Sequence, residues 1–315
     1  MIKMPFGLFK KRADKILKIA ILGTCQVLGM AETARRLLPG AEIKAWHVGV
    51  APADTEEEIL AQLPDYDLII CQVSEWDSHE ALRPSRMRQT QLPYMHVPPI
   101  VFTGFHPDTT YVLKDGGVLG GPGTDYHSIL VATAFVLGVP EHRVPGLFNT
   151  YVFAELGYLD AFESARAALI DSFATAAGLD IAPLFDLWLA EGGPFMHTIN
   201  HPNIFALASL TRFVLSQAGY VEADASLPTD LPDDLGRNFR TPVYPPLARR
   251  IGLEGSTLHG RSLHQLAEGE TRDVALEDYV AASYRLYREI DPALLPAGSG
   301  GITAARQRLD SVIVR

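Results

Sequence analysis

Cysteine is scarce. The 315-residue chain has two, Cys25 and Cys71, and they form no C-x-x-C pair. A disulfide-framed secreted fold is therefore excluded, and no structural zinc site is expected. Positive charge is also short, with 27 Lys and Arg against 37 Asp and Glu and a formal net charge of −10. A protein whose main partner is nucleic acid needs a basic surface, so that class is set aside. No stretch reaches the roughly 20 apolar residues of a membrane span; the nearest run, 129–139, reads as a core helix. No G-x-x-x-x-G-K-[ST] phosphate loop and no G-x-S-x-G nucleophile elbow occurs, and the first turn lacks the G-x-G-x-x-G fingerprint.

What is present is an ordinary globular composition, 47% hydrophobic and 20% charged. A chain of this length buries a sizeable core unaided. Its N-terminus departs from the acidic average by mixing Lys3, Lys10, Lys11, Arg12 and Lys15 with Met4, Phe6, Leu8 and Phe9. Two readings stand: a solvated tail, or a weak interfacial anchor on an anionic membrane. The segment lacks the apolar core and cleavage site of a signal peptide. The expected location is cytoplasmic, and peripheral at the inner membrane face if the anchor reading applies.

The first third alternates strand and helix. Strands are expected at 18–22, 42–46, 67–73 ("DLIICQV") and 99–103 ("PIVFT"), with helices at 27–38 and 55–63 between them. Thr55 followed by Glu58 makes a capping box. Such alternation predicts parallel pairing with right-handed crossovers. Further on, helices are expected at 127–137, 160–177, 183–190, 202–217 and 276–288, with 221–246 as loop. The expected fold is a small parallel-sheet α/β subdomain set into a mainly helical, loop-rich cradle. Its parts are a basic segment 1–17, the α/β subdomain 18–126, and a helical part 127–315 packed on it as one compact unit.

Ligands of open parallel sheets bind beyond the carboxyl ends of the strands. The first expected strand ends at "GTCQ", the third at Cys71-Gln72, and the fourth runs into "TGFHPD". If these strands are neighbours, Cys25, Gln26, Gln72, His106 and Asp108 converge on one crevice. Cys25 at a helix mouth reads as a nucleophile with a lowered thiol pKa, or as a small buried hydrophobe. Cys71, after buried aliphatics, reads as core. His106 with Asp108 reads as a general base held by a carboxylate, or as a loop cap. "GPGTDYHS" places Asp125, Tyr126, His127 and Ser128 before a helix, which suits an anion or a simple cap. "FMHTINHPN" carries His197, Asn200 and His201. The two histidines are four apart, but Pro202 makes this a loop, so ligand hydrogen bonding is expected there and metal is not.

"GTCQ", "FTGFHPDTTYV", "YHS", "FMHTINHP" and "PVYPPLARRIGL" occur in that order. Together they resemble the WcbI-type capsular polysaccharide biosynthesis family, from about residue 18 to about 260. The first turn also resembles that of SGNH hydrolases, with Thr24-Cys25 where those have Asp-Ser, but their C-terminal D-x-x-H block is absent. The WcbI resemblance implies an α/β subdomain in a helical cradle that binds coenzyme A or acetyl-CoA and acetylates a sugar hydroxyl of a capsular or surface polysaccharide or its precursor. The catalytic residues expected are Cys25, His106 and Asp108, with direct attack by a sugar hydroxyl that His106 deprotonates and Asp108 orients preferred to a two-step route through acyl-Cys25. Gln26, Gln72, Gly104, Tyr111, His127, Ser128, His197, Asn200 and His201 are implied as cofactor contacts, with Arg143, Arg240, Arg249 and Arg250 as cations for the phosphates. The partners implied are acyl-CoA, a carbohydrate acceptor and other capsule-biosynthesis proteins. Two alternatives remain open: an SGNH-like esterase or deacetylase using Cys25, and a non-catalytic module holding coenzyme A or polysaccharide.

Overall fold

The computed structural model describes residues 15–48 and 54–313, with side chains up to 310. The basic N-terminal segment expected at 1–17 lies almost wholly outside the described residues. The backbone divides into two units. One holds residues up to Val101, Ala168–Phe195 and His201–Leu235; the other holds Phe102–Ala167, Met196–Asn200 and Gly236 onwards.

The first unit is built on a four-stranded parallel sheet in the order β2-β1-β3-β4, with β1 at Lys18–Gly23, β2 at Glu42–His47, β3 at Leu68–Cys71 and β4 at Tyr94–His96. The pairings Ala20↔Ile69 and Leu22↔Cys71 put those side chains on one face. There they join Trp46, Ile59, Leu63, Leu82 and Met87 in a buried cluster. Ile19, Ile21 and Ile70 take the other face by the period-two alternation of strands, so the central strands are buried on both sides, as parallel strands are. Each such aliphatic side chain stabilises the fold by about 1.5–3 kcal/mol.

Helix α1, Gln26–Leu37, buries Val27, Met30, Ala31 and Ala34. It packs on the helix Ile204–Gln217 closely enough that a Cβ on Gly29 would meet Leu207 at 2.8 Å. Helix α2, Glu56–Gln62, begins with the expected capping box of Thr55 and Glu58.

The expected strand at 99–103 is a correction. Ile100 and Phe102 are at 0% exposure while Val101 between them is 47% exposed, but among the described residues the segment joins no sheet. Its apolar composition reports the burial of Ile100 and Phe102 only; the fourth strand is the less aliphatic Tyr94–His96 just before it.

The second unit is mainly helical. The helix Ile129–Val136 is apolar nearly all round and packs on Leu276–Tyr287 and Gly300–Ile313, the pattern of a core helix. The helix at 300–313 and the hairpin Val112–Lys114/Gly117–Leu119 were not expected from the sequence. The boundary expected at 126/127 falls inside this unit, because Thr109–Thr110 pairs with His127–Ser128 across it. Among the described residues, no helix is long and apolar enough to cross a membrane.

Candidate functional site

In the first unit the chain leaves β1 to form β2 on one side, then crosses to form β3 on the other. The carboxyl ends of β1 and β3 therefore flank a topological switch point, where α/β sheets hold their ligands. Gly23 closes β1 against β3. A Cβ there would lie 2.7 Å from Gln72 Cβ, so the strand end admits only glycine. Thr24 makes the turn, and Cys25 is the residue before α1.

Cys25 is half-buried, whereas Cys71 is fully buried with its sulfur 3.8 Å from Leu82 O. Burial pushes the Cys71 thiol up to about 12, which fits its reading as core. Burial also raises the Cys25 thiol, against the opposing pull of the Thr24 hydroxyl and the backbone N–H groups of Cys25 and Gln26. The expectation of a lowered Cys25 pKa is thus corrected: at this helix mouth desolvation outweighs the amides.

Gln26 is fixed by the segment misread as a strand. Its Nε2 donates to Ile100 O at 2.8 Å, and its Oε1 accepts from Ile100 N at 3.0 Å. One side chain thereby supplies the two hydrogen bonds a neighbouring strand would give, as buried backbone requires. Gln72 Nε2 approaches Gln26 Oε1 at 3.5 Å. His201 lies in the same unit, half-buried, two residues before Asn203, which caps the helix Ile204–Gln217 by accepting from Ala206 N.

The other expected residues belong to the second unit. His106 is buried with both ring nitrogens on backbone carbonyls, Nε2 at 3.1 Å from Met196 O and Nδ1 at 3.3 Å from Pro242 O. Burial pushes its pKa down to about 4. Asp108 does not orient it, which corrects the expected His106–Asp108 pair. Instead Asp108 accepts from the Ser128 hydroxyl, from Leu130 N at 2.8 Å and from Tyr158 Oη at 3.0 Å. Burial pushes this carboxyl up to about 7, while those three donors pull the other way. Ser128 caps the helix Ile129–Val136 by accepting from Val131 N, so the simple cap reading holds for it.

His127 is also occupied internally. Its Nδ1 meets Tyr287 Oη at 3.0 Å and its Nε2 meets Leu119 O at 2.9 Å. Gly104 has a packing role, since a Cβ there would strike the ring of Phe102 and the backbone of Phe162. Tyr111 and Asn200 are brought together. Asn200 Nδ2 donates to Tyr111 Oη at 3.2 Å, its Oδ1 accepts from Tyr126, and Thr198 donates to Tyr126 Oη at 3.2 Å. His197 is half-buried, with its carbonyl accepting from Thr241 N. Of the candidate cations, Arg250 pairs with Asp160 at 3.3 Å and Arg240 bonds Gly236 O.

Sequence reasoning missed Tyr158, the second hydroxyl on Asp108, and His259. The buried His259 bonds Tyr244 Oη at 3.2 Å and stacks on Tyr279 at 4.0 Å. Both residues come from stretches without a motif, so only their three-dimensional neighbours reveal them. Asp108, Ser128, His259 and Thr241 line a cavity of about 10 Å³, room for a single water.

The family model described as the polysaccharide biosynthesis enzyme WcbI matches residues 18–222, more than half of the chain. No curated protein matches. Among solved structures, the chain is similar to a WcbI described as a novel polysaccharide biosynthesis enzyme, in its native form without a disulfide bond between coenzyme A and one of its cysteines. The TM-score is 0.67 at 18% identity, over 93% of this chain and 99% of that one. At that identity the likeness is one of fold.

Proposed function

The chain belongs to the WcbI family of polysaccharide biosynthesis enzymes, and on that premise we propose that it is a coenzyme A-dependent acyltransferase. It carries an acyl group, acetyl in the first instance, to a sugar hydroxyl of a surface polysaccharide or its precursor. The observation that supports this most is the place of Cys25: a half-buried thiol at the switch point of a parallel sheet, next to the helix-mouth amides of residues 25 and 26. Cys71 is sealed in the core. If this chain engages coenzyme A through a thiol, Cys25 is the one.

We read the transfer as two steps through Cys25, the thiol at the switch point of the sheet. His106 turns both ring nitrogens to carbonyls, so it is not assigned as the base of either step. In the two-step route Cys25 gives up its proton and its sulfur attacks the acyl carbonyl of the thioester. The amides of residues 25 and 26 stabilise the oxyanion. The coenzyme leaves as its thiol, taking the proton that Cys25 released; the sugar hydroxyl then attacks acyl-Cys25, and its proton goes to the departing Cys25 sulfur. Asp108, with its pKa near neutrality, and His106 serve in this reading as positioning residues for the loops of the second unit.

The raised Cys25 thiol favours one second reading, a module that holds coenzyme A without turnover. Calorimetric titration with coenzyme A, acetyl-CoA and ATP, followed by intact-mass measurement after acetyl-CoA, separates the two. Acyltransfer predicts binding of coenzyme A but not ATP, and an acetyl adduct that vanishes in Cys25→Ser. Binding that persists in Cys25→Ser, with no adduct in either protein, supports the module. Absence of coenzyme A binding overturns both.

A further inference from the structure

The loop after β3 carries the most exposed large hydrophobic residue described. Trp76 is 94% exposed, whereas Trp46 and Trp188 are 4% and 0% exposed. Among the described residues its indole has no aromatic, cationic or hydrogen-bonding partner. An exposed tryptophan on a frayed loop would mean little. This loop, however, is tied down on both sides of it. Glu75 accepts from Ser85 N and Ser85 Oγ, each at 2.7 Å. The Arg83 guanidinium donates twice to Asp77 O, at 2.8 and 2.6 Å, and His79 Nδ1 sits 2.8 Å from Asp77 Oδ1. Glu56 accepts from Ala81 N at 2.6 Å. The loop starts at the carboxyl end of β3 and reaches Trp76 four residues after Gln72, so it belongs to the same rim of the first unit as Cys25.

We propose that Trp76 is a stacking platform for the acceptor saccharide, and that this saccharide is neutral where it meets the indole. A pyranose ring presents C–H groups of partial positive charge on one face, and these complement the negative face of an indole. Its hydroxyls complement carboxylates, and Glu75 and Asp77 adjoin Trp76 in the chain. A protein-binding hot spot would sit in an apolar surround that excludes water, but the neighbours here are Ser74, Glu75, Asp77 and Ser78. Glu80 is paired with Arg83 at 3.6 Å, and the carboxylates of Glu75 and Asp77, adjoining Trp76 in the chain, disfavour acidic sugars.

The inference rests on the polysaccharide reading of the family but not on acyl transfer. It is tested on the full chain by acrylamide quenching of tryptophan fluorescence, which reports Trp76 because the other two tryptophans are buried. The probes are maltohexaose, mannohexaose and a galacturonate hexamer. Saturable protection by a neutral hexamer is expected, with the galacturonate protecting weakly or not at all. Trp76→Ala should abolish the quenchable signal and weaken calorimetric affinity for the same neutral hexamer at least about tenfold, while Trp76→Phe retains part of it. No protection by either neutral hexamer overturns the proposal, as does protection by the acidic one alone. Shielding of Trp76 in the free protein that reverses on dilution also overturns it, by making the loop an interface. Coenzyme A binding should be unchanged in Trp76→Ala. Loss of that binding in wild type with protection retained sinks the acyltransferase reading alone.

Discussion

Asp108 is a buried carboxyl group met by two hydroxyls and an amide, with no cation among its hydrogen-bonding partners. Burial wins over these donors and holds its pKa about 7, far above the 3.8 of a free side chain. The sign of the linkage follows. A raised folded pKa contributes stability that is fully present below the unfolded value and is lost as pH rises through the folded one. Asp108→Asn keeps the shape and mimics the neutral acid: its Oδ1 accepts from Leu130 N and Tyr158, and its Nδ2 faces Ser128 Oγ. The variant should therefore gain stability over wild type as pH rises from 5 to 8. The slope approaches 1.4 kcal/mol per pH unit while the group titrates. Urea midpoints of both proteins across that range check it; a constant difference would mean that Asp108 titrates as an ordinary carboxylate.

The last ladder bond of β4 is Val97 N to Cys71 O at 2.9 Å, and among the described residues the stretch 98–102 after it runs on without a ladder. Its backbone is paired in part by the Gln26 side chain at Ile100 and by Ile199 O at Phe102 N. Gln26→Leu leaves a buried N–H and a buried carbonyl unpaired, at about 1–3 kcal/mol each. A loss of about 2–4 kcal/mol is expected by urea unfolding; Gln26→Glu should recover part of it only in acid, where a protonated carboxyl donates to Ile100 O. A loss under 1 kcal/mol would show that other groups hold the segment. The same stretch explains what the sequence could reveal. β1, β2, β3 and both intervening helices were legible because each couples a period of apolar residues to a stop or cap, such as Pro39-Gly40 and Thr55/Glu58. "PIVFT" shares the strand composition, yet burial and strand pairing are different facts, and composition records only the first. The crevice residues were legible at Cys25, because a strand end and a helix start fix its place. They were not at Asp108 or His127, whose partners Tyr158 and Tyr287 lie 50 and 160 residues away. Long-range partners leave no local trace.

Across the whole molecule, two electrostatic effects of opposite sign compete as pH falls. The chain carries a formal charge of −10, so acidification relaxes its self-repulsion and favours the fold. Against this stand the buried His106 and His259 and the half-buried His96. Burial holds His96 and His106 to about 4 and His259 to about 3, from 6.5 in the unfolded chain. A depressed folded pKa contributes stability that is present above 6.5 and lost as pH falls through the folded value. Between pH 6.5 and 4 the unfolded chain therefore binds up to one more proton at each of these three sites, partly offset by the extra proton that folded Asp108 retains. Each net proton is worth about 1.4 kcal/mol per pH unit, which exceeds the gain from spreading fewer surface charges through water. The urea midpoint should fall steadily from pH 7 to pH 5. High salt screens the surface term and spares the buried one, so the fall should persist or steepen there. His259→Phe, which keeps an aromatic ring against Tyr279, removes one of the titrating groups and should flatten the acid limb. Midpoints that rise on acidification, or a fall that vanishes in salt, would mean that surface charge and not the buried imidazoles sets the response of this protein to acid.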